Sequence, residues 1–458
     1  MTNPRSFGDR VRSSGKLFTT LVAIAAVIVG CGDGGSGGTG GSGQGGGGLG
    51  GTGGTGGSGG DGGNGGTGQG GSTATSLDGL LAELRADLEG TMNKYATEGG
   101  WPVAVEGGYL FVSTNPSLDL VAGDHDGWVG SPMKLETEGF RWLHLTGLTP
   151  GSRYKFTNKT VWEADPWARS YTYDENGEMS LVAPASPHID RFFGIGDAQM
   201  PARRVNVWVP EGAATHVLYV HDGQNLFDPE SAWGGWMLQE SAPAGMMLVG
   251  IDNTGVGRMD EYTHVPDVID LDGDGTDEPW GGKGDAYADF VNGAVRKLIA
   301  NRYGEPAKVG TMGSSLGGLI AFHIADRFPG DYHYAASLSG TMGWGKIGDS
   351  SDNQTMIERY ATHGHRQVVL YLDSGGGEAA LGQAENEAKC KDTDGDGIED
   401  DVGIGDNACE NAQMRETLIS VGYTLGTDVF HWWEAGAPHN EAAWRARVFR
   451  PMNLFKGL

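Results

Sequence analysis

The chain has 458 residues, of which 82 are glycine, and its formal net charge is −27. This length allows two folded domains with tails. The acidic balance, without a basic patch, argues against a nucleic-acid partner.

The N-terminus has the pattern of an export signal. Residues 1–30 combine four basic side chains with a short apolar stretch from Leu17 to Val29. The stretch is short for a membrane span of about 20 residues. The sequence Ile28-Val29-Gly30-Cys31 resembles a bacterial lipobox, which implies that Cys31 is lipidated. An ordinary secretory signal and a membrane anchor are the alternatives.

Residues 31–75 are almost entirely glycine, serine and threonine, a composition that predicts a flexible tether. We therefore expect an exported bacterial lipoprotein, held in the outer membrane or at the cell surface by its N-terminal lipid. Nothing chemical is expected within the tether itself.

After the tether, the pattern predicts a helix at 76–98, capped by Ser76, and then short strands and turns at 99–185. These strands indicate a small all-β sandwich. The segments "LVAGDHDGW", "GLTPGSRYKF" and "WEADPWARSY" resemble early-set, glycogen-binding-like modules. Four tryptophans are candidates for a sugar-stacking face, or alternatively for core or interdomain positions: Trp128, Trp142, Trp162 and Trp167.

From residue 189 to 458, strand and helix patterns alternate, which predicts an α/β sheet with flanking helices. Its centre is the stretch Lys308–Phe322, which reads as strand, sharp turn and helix. The turn carries G-x-S-x-G at Gly313–Gly317 and predicts Ser315 as a nucleophile at a strained elbow. The same pattern at Ser36 and Ser58 lies in the glycine tract, without a strand or a helix around it.

Five segments of this region carry a family resemblance: "YVHDGQNLFD", "GIDNTGVGRMDEYT", "GSSLGG", "LYLDSGGGE" and "GAPHNEAAW". Together they resemble the esterase family of α/β-hydrolases that contains feruloyl and acetyl-xylan esterases, enterochelin esterases and S-formylglutathione hydrolase. The resemblance covers residues 190–458. It implies an α/β-hydrolase fold and hydrolysis of carboxylic esters without a catalytic cofactor.

A serine nucleophile needs a base and an orienting acid, which follow it in the order acid, then histidine, in α/β-hydrolases. His439, in "GAPHNEAAW", is the predicted base. Glu378 is the favoured acid, because the family places its acid in a turn a few residues past a strand. Asp373, at the end of that strand, is the alternative.

An oxyanion hole needs two backbone N–H donors. The predicted donors are Leu316, after the nucleophile, and Gln224, with Gly223 allowing close approach. Asp222 is expected to shape this loop with its carboxylate turned away from the oxyanion.

Two acidic loops have alternating carboxylates followed by glycine, which suits a structural calcium ion. The candidate ligands are Asp270, Asp272 and Asp274 in the first loop and Asp392, Asp394, Asp396 and Asp400 in the second. Both loops have glycine where an EF-hand has its twelfth, acidic ligand, and a solvated acidic turn is the alternative. The second loop resembles the thrombospondin type 3 repeat, with Asp406 as a candidate late ligand. Cys390 and Cys409 flank it and are expected to form a disulfide.

The sequence thus predicts an exported serine esterase acting on small-molecule or polysaccharide esters. The sandwich favours feruloyl or acetyl groups on carbohydrate, and a siderophore trilactone is the alternative substrate. A non-catalytic, calcium-binding surface module is the alternative from another class, and the presence of both Ser315 and His439 argues against it.

Overall fold

The computed structural model describes residues 76–184, 187–231, 234–271, 274–348 and 350–458. The predicted export signal, Cys31, the tether and Asp272 lie outside these residues. Within the described ranges, no helix combines the length and the apolar character needed to cross a membrane.

Two helices, and not one, open the described chain: α1 (Leu77–Ala86) and α2 (Leu88–Glu98). Asp87 separates them because its backbone is extended, with φ −153°, and its side chain accepts a hydrogen bond from Gly90 N–H at 2.9 Å. Ser76 caps α1 in the same way, accepting from Gly79 N–H at 3.1 Å. The buried leucines of α1 pack against the first strands and their aromatic neighbours, including Trp101.

The next part of the chain is all β. Its strands are β1 (Val103–Val105), β2 (Gly108–Ser113), β3 (Leu120–Gly123), β4 (Ser131–Pro132), β5 (Lys134–Leu135), β6 (Arg141–Thr146), β7 (Ser152–Thr157), β8 (Trp162–Glu163), β9 (Ser170–Asp174) and β10 (Gly177–Val182). One sheet has the order β1-β2-β6-β5, and the remaining strands form a second sheet. Phe111 of the first sheet packs with Val121, Tyr154 and Phe156 of the second, so the two sheets share one apolar core.

The α/β part follows. Its strands are β11 (His188–Ile195), β12 (Arg203–Val209), β13 (His216–His221), β14 (Met246–Ile251), β15 (Pro266–Ile269), β16 (Glu278–Gly281), β17 (Lys308–Ser314), β18 (Tyr334–Leu338), β19 (Val369–Ser374) and β20 (Val429–Trp433). Its helices are α3 (Leu238–Ser241), α4 (Arg258–Tyr262), α5 (Gly284–Phe290), α6 (Arg296–Tyr303), α7 (Leu316–Arg327), α8 (Met356–His363), α9 (Gln383–Glu387), α10 (Ala408–Ser420), α11 (Glu441–Arg447) and α12 (Phe449–Lys456). A π-helical turn, Val291–Val295, joins α5 to α6.

The strands of this part form one mixed sheet in the order β20-β19-β18-β17-β13-β14-β12-β11, and β15 and β16 form a separate pair. The neighbours from β14 to β20 are parallel, β12 pairs antiparallel with β14, and β11 pairs antiparallel with β12. Strand β11 also pairs with β9, so the sheet continues into the all-β part. The parallel strands end at one edge, where the loops after β13, β17, β18, β19 and β20 meet, as is usual for ligand sites in open α/β sheets.

Candidate active site

The turn between β17 and α7 is strained at Ser315, whose backbone has φ 55° and ψ −126°. A positive φ at a residue with a side chain is uncommon and is often found at functional sites. The glycines are required by close packing: a Cβ on Gly313 would lie 2.5 Å from the carbonyl of Gly317. The local pattern thus produces the sharp strand-to-helix turn expected around Ser315.

His439 lies in the loop between β20 and α11. Its ring stands edge-on against Trp444, with 4.9 Å between ring centroids. Its Nδ1 is 2.8 Å from Oδ1 of Asp406. Its Nε2 is buried and has no hydrogen-bond partner among the described residues. The imidazole therefore lies within ion-pair distance of a carboxylate at Nδ1, and neither ring nitrogen makes a well-aligned hydrogen bond with the described residues.

The structure corrects the predicted acid, because Asp406 and neither Glu378 nor Asp373 faces His439. The Glu378 side chain is 66% exposed and pairs with Lys389 at 2.6 Å. The chain after β19 does not turn back to the histidine at this point. It first makes a long excursion over residues 375–407, and the carboxylate that reaches His439 stands near the end of that excursion.

Asp373 is buried beside the site, where its Oδ1 accepts a hydrogen bond from Arg447 Nε at 2.9 Å. Burial raises the pKa of Asp373 to about 6, although the Arg447 guanidinium acts in the opposite direction. Arg447 Nη2 also lies 3.4 Å from Oδ2 of Asp406. Asp373 is thus a structural partner of this arginine, and the arginine links it to the true partner of His439.

Several groups orient the Asp406 carboxylate. Its Oδ2 accepts hydrogen bonds from Ser339 Oγ at 2.8 Å and from the N–H of Gly375. Ser339 in turn accepts from Trp444 Nε1 at 3.0 Å and from Arg447 Nη2 at 2.7 Å. With Oδ2 held in this way, Oδ1 is directed to His439.

The sequence signal for Asp406 was ambiguous. Asp406 and Asn407 have φ values of 57° and 54°, and Asp and Asn tolerate this left-handed conformation better than other residues with side chains. An Asp-Asn pair before a helix is equally typical of a cap or a calcium ligand. The positions of Ser339 and Arg447 carry no local signal at all.

The loop after β13 holds the second predicted oxyanion donor. Asp222 is left-handed, with φ 63° and ψ 47°, and Gly223–Asn225 form a single 3-10 turn. A Cβ on Gly223 would lie 2.7 Å from Asp252 N, so this position requires glycine. Leu316 is the first residue of α7, where no helix carbonyl can accept from its N–H. The Asp222 carboxylate is bound by Arg258 and Asn253.

In the second acidic loop, Asp392, Asp394 and Asp396 each offer an oxygen within 4.8 Å of the others, and carboxylate oxygens are suited to a hard cation. Asp400 turns its Oδ2 to the N–H of Thr393 at 2.8 Å. The prediction of Asp406 as a late calcium ligand is wrong, because the Asp406 carboxylate faces His439.

In the first acidic loop, Asp270 Oδ2 accepts from Gly275 N–H at 2.9 Å and Asp274 Oδ1 from Thr276 N–H at 2.7 Å. Hydrogen bonds that a carboxylate accepts from the N–H group of a residue a few positions later are typical of a tight turn.

The expected disulfide between Cys390 and Cys409 is confirmed, with an S–S distance of 2.01 Å. Cys409 is the second residue of α10 and lies three positions after Asp406. The bond therefore fastens the excursion next to the carboxylate that contacts His439.

The mixed sheet with its flanking helices and the sharp turn at Ser315 are those of the α/β-hydrolase fold. The family model described as "Putative esterase" matches residues 200–453, which is more than half of the chain. The chain belongs to this esterase family.

Individual relatives are distant. The uncharacterized protein YbbA of Bacillus subtilis (strain 168) is 29% identical over 147 residues, which are 30% of this chain and 57% of that protein. An IroE-like serine hydrolase from Shewanella oneidensis is 16% identical, with a TM-score of 0.42 over 58% of this chain and 80% of the other. The enterobactin esterase FES from Shigella flexneri is 13% identical, with a TM-score of 0.39 over 76% of this chain and 93% of the other.

Proposed function

We propose that this protein is a serine esterase in which Ser315 is the nucleophile, His439 the base and Asp406 the orienting acid. The observation that carries the proposal is the distance of 2.8 Å between His439 Nδ1 and Asp406 Oδ1, because a carboxylate at this position can orient the imidazole toward a serine nucleophile. Ser315 belongs to the same cluster of loops, since its N–H donates to the carbonyl of Leu338 at 2.9 Å. Leu338 precedes Ser339, the residue that holds Asp406.

The mechanism follows from these positions. Ser315 Oγ attacks the ester carbonyl carbon while Nε2 of His439 takes the hydroxyl proton, and Asp406 stabilises the resulting imidazolium. The N–H groups of Leu316 and of the Gly223–Gln224 turn are the proposed donors to the oxyanion. The imidazolium then protonates the leaving alcohol. Water activated by His439 hydrolyses the acyl-enzyme, so no cofactor is required for the chemistry.

Hydrolysis of a short p-nitrophenyl ester by the wild-type protein and by Ser315→Ala tests the proposal. We expect turnover to fall by about a millionfold, as on loss of the nucleophile in a comparable triad. Ser314→Ala, one residue away at the end of β17, is the matched control and should remain active. An alanine variant at 315 that is folded and still active would refute the assignment. An inactive wild type would favour the non-catalytic surface module.

For the natural substrate, we propose a carbohydrate-linked ester, such as a feruloyl or acetyl group on a polysaccharide. A cleft of about 580 Å³ on the all-β part supports this, with Trp128 and Trp162 in its lining at a ring-centroid separation of 6.2 Å. Trp162 is 41% exposed. Flat aromatic faces beside hydrogen-bonding groups suit a neutral, polyhydroxylated ligand.

The positively charged side chains of this cleft already bond other groups of the protein, which also favours a neutral ligand. Arg153 bonds Asp124 at 3.1 Å and Asp174 at 3.2 Å, and Lys155 Nζ donates to the carbonyl of Asn176 at 2.7 Å. The other two candidate tryptophans do not belong to the cleft. Trp142 is buried and donates to Glu136, and Trp167 packs against Phe193.

A panel of feruloyl-polysaccharide, acetyl-xylan and catecholate trilactone esters separates the substrate classes. Trp162→Ala should weaken activity on the polysaccharide esters and leave hydrolysis of the p-nitrophenyl ester unaffected. Trp167→Ala, which removes a less exposed tryptophan outside the cleft, is the variant for comparison. Preference for the trilactone would favour the siderophore alternative. The net charge of −27 argues against that outcome, because an anionic iron complex would be repelled at long range.

We also propose that the protein is exported and anchored through a lipid on Cys31, and that the second acidic loop binds a structural calcium ion. The lipobox-like sequence supports the first proposal. The three clustered carboxylates of Asp392, Asp394 and Asp396 support the second.

A further inference from the structure

We propose that Arg258, Asp222 and Asn253 act as one positioning unit for the oxyanion hole, in which Arg258 cancels the charge of a carboxylate that would otherwise repel the oxyanion. We call these three residues the clamp. The inference rests on the proposed esterase function and assigns roles to residues outside the Ser315, His439 and Asp406 set.

Asp222 is fixed at every polar group. Its N–H donates to Tyr262 Oη at 3.0 Å, and its carbonyl accepts from Asn225 N–H at 3.0 Å. Its Oδ1 accepts from Arg258 Nε at 2.8 Å and from Asn253 Nδ2 at 2.7 Å, and its Oδ2 accepts from Arg258 Nη2 at 2.8 Å. These contacts maintain a left-handed backbone that a residue with a side chain rarely adopts. The clamp therefore sets the direction in which the chain leaves β13.

The same unit holds the next part of the loop. The N–H of Asn253 donates to Gln224 Oε1 at 3.2 Å, so Asn253 contacts the residues on both sides of Gly223. Gly223 itself is packed so closely against the end of β14 that it has no room for a Cβ. A backbone donor in this turn is thus oriented before a substrate arrives, which is what effective oxyanion stabilisation requires.

The carboxylate used for this purpose lies close to the nucleophile elbow. Oδ2 of Asp222 is 3.3 Å from the point that a Cβ on Gly317 would occupy, and Gly317 is two residues after Ser315. A negative charge beside the start of α7 opposes a second negative charge developing on the substrate. A loop held by Asp222 alone would therefore be correctly shaped but electrostatically unfavourable.

Arg258 supplies the compensating charge. Its guanidinium binds both carboxylate oxygens, it is 5% exposed, and it lies 5.1 Å from the Tyr262 ring centroid. Burial opposes ionisation of Asp222, but the charge and hydrogen bonds of Arg258 outweigh it and lower the pKa of this carboxyl. The pair is therefore ionised and neutral overall.

The pair also lies within electrostatic reach of the His439 loop. Glu441 is two residues after His439. Burial raises the pKa of Glu441, the charge of Asp222 raises it further, and Arg258 and His439 both lower it.

The test compares Arg258→Gln, Asp222→Asn and the double variant. Kinetics on a p-nitrophenyl ester are combined with inhibition by an aryl trifluoromethyl ketone. Ser315 Oγ adds to the ketone carbon, the hydroxyl proton moves to His439, and the carbonyl oxygen becomes an oxyanion in the hole. The corresponding aryl carboxylic acid, a product-like inhibitor, reports ground-state binding.

We expect Arg258→Gln to lower kcat by about 10²–10³, the range found on loss of one oxyanion donor, with KM changed by less than about threefold. Ketone affinity should fall by the same factor as kcat, while product affinity stays constant. The double variant should recover at least about tenfold of the lost kcat and ketone affinity, because the amide that replaces the Asp222 carboxylate carries no charge. Unequal losses in kcat and ketone affinity, or a double variant no better than Arg258→Gln, would overturn the inference.

Arg327→Gln is the matched control, since Arg327 makes the same two-bond pair with Asp289, at 2.9 Å for each bond, away from the site. It should leave kcat and ketone affinity unchanged. If Arg258→Gln does not fold, Arg258→Lys keeps the charge and should retain at least about tenfold more kcat than Arg258→Met. Equal activity of those two variants contradicts charge cancellation. A wild type without esterase activity defeats the proposed function, whereas an active wild type with an unaffected Arg258→Gln defeats the clamp alone.

Discussion

Left-handed residues with side chains concentrate where the catalytic groups meet. Ser315, Ser339 and Asp406 have φ values between 50° and 57°, and Asp222 has 63°. Each such conformation costs of the order of 1–3 kcal/mol and persists only where surrounding contacts enforce it. Hydrogen bonds to Ser339, Asp406 and Asp222 supply that enforcement.

Asp406→Asn should lower kcat by about 10⁴, because an amide at this position favours the wrong tautomer of His439, as in a comparable triad. Hydrolysis of a p-nitrophenyl ester measures the change. Glu378→Gln is the matched control and should be fully active, since Glu378 is exposed and contacts Lys389. Loss of activity in Glu378→Gln, with Asp406→Asn active, would reverse the assignment made from the structure.

Ser315 and His439 were accessible to sequence reasoning because their surroundings are local: a glycine-framed turn and a loop after a strand. Sequence reasoning did not find the carboxylate that faces His439, because the position of that carboxylate depends on where the excursion over residues 375–407 ends. Glu378 has the appropriate chemistry and sequence order, but its loop does not approach His439. Only the tertiary packing of Gly375 and Ser339 around Asp406 distinguishes the two carboxylates.

The segment between β19 and α10 carries several of the features described above. It contains Glu378, the second acidic loop and Cys390, and it returns to the sheet edge with Asp406. Next to it, Arg447 of α11 lies between Asp373 and Asp406. This helix therefore ties the end of β19 to the end of the excursion.

Asp373→Asn should destabilise the protein by about 3–5 kcal/mol, the range for removing one partner of a buried ion pair. The reason is that Arg447 would lose its closest carboxylate in a buried environment. Urea unfolding measures the change in free energy. Asp428→Asn is the control, since that carboxylate is partly exposed with His365 at 2.9 Å. A free energy of unfolding equal to that of the wild type would show that Asp406 alone satisfies the arginine.

Calcium should raise the melting temperature of the protein without affecting kcat. The carboxylates of Asp392, Asp394 and Asp396 repel one another, and a ligand that binds only the native state adds about 2.7 kcal/mol at a hundredfold excess over Kd. Thermal unfolding with calcium and with a chelator measures the effect. Asp392→Asn with Asp394→Asn should abolish it. A wild-type melting temperature that is the same in both conditions would exclude a calcium site.

At the scale of the whole molecule, a long glycine-rich segment precedes residue 76, the first residue that the structure describes. Cys31→Ser should move the protein from the membrane fraction to the soluble fraction, because the proposed lipid attaches to this thiol. Fractionation and immunoblotting of the producing cells measure the distribution. Cys390→Ser, which leaves Cys31 intact, is the control and should stay with membranes. A Cys31→Ser protein that remains in the membrane fraction would indicate a different anchor.

The all-β part and the α/β part were predictable in outline, because strand-turn patterns and strand-helix alternation are local signals. The pairing of strands that connects the two parts was not predictable. Strand β11 pairs with β12 through a register that begins His188↔Val209, and also with β9 at Ile189↔Tyr171 and Asp190↔Ser170. The pairing with β9 passes over β10, so the order of the strands in the sheet does not follow their order along the chain.

This two-sided pairing of β11 determines how the protein can be divided. A shortened protein that starts at residue 187 would retain the proposed catalytic residues but would lack β9, the partner of β11. The backbone groups of Ile189 and Asp190 would then form an unprotected sheet edge, and the Asp190 carboxylate would lose the hydrogen bond that it accepts from Ser170 Oγ. Exposed strand edges promote association between copies. The all-β part thus covers the β11 edge of the hydrolase sheet.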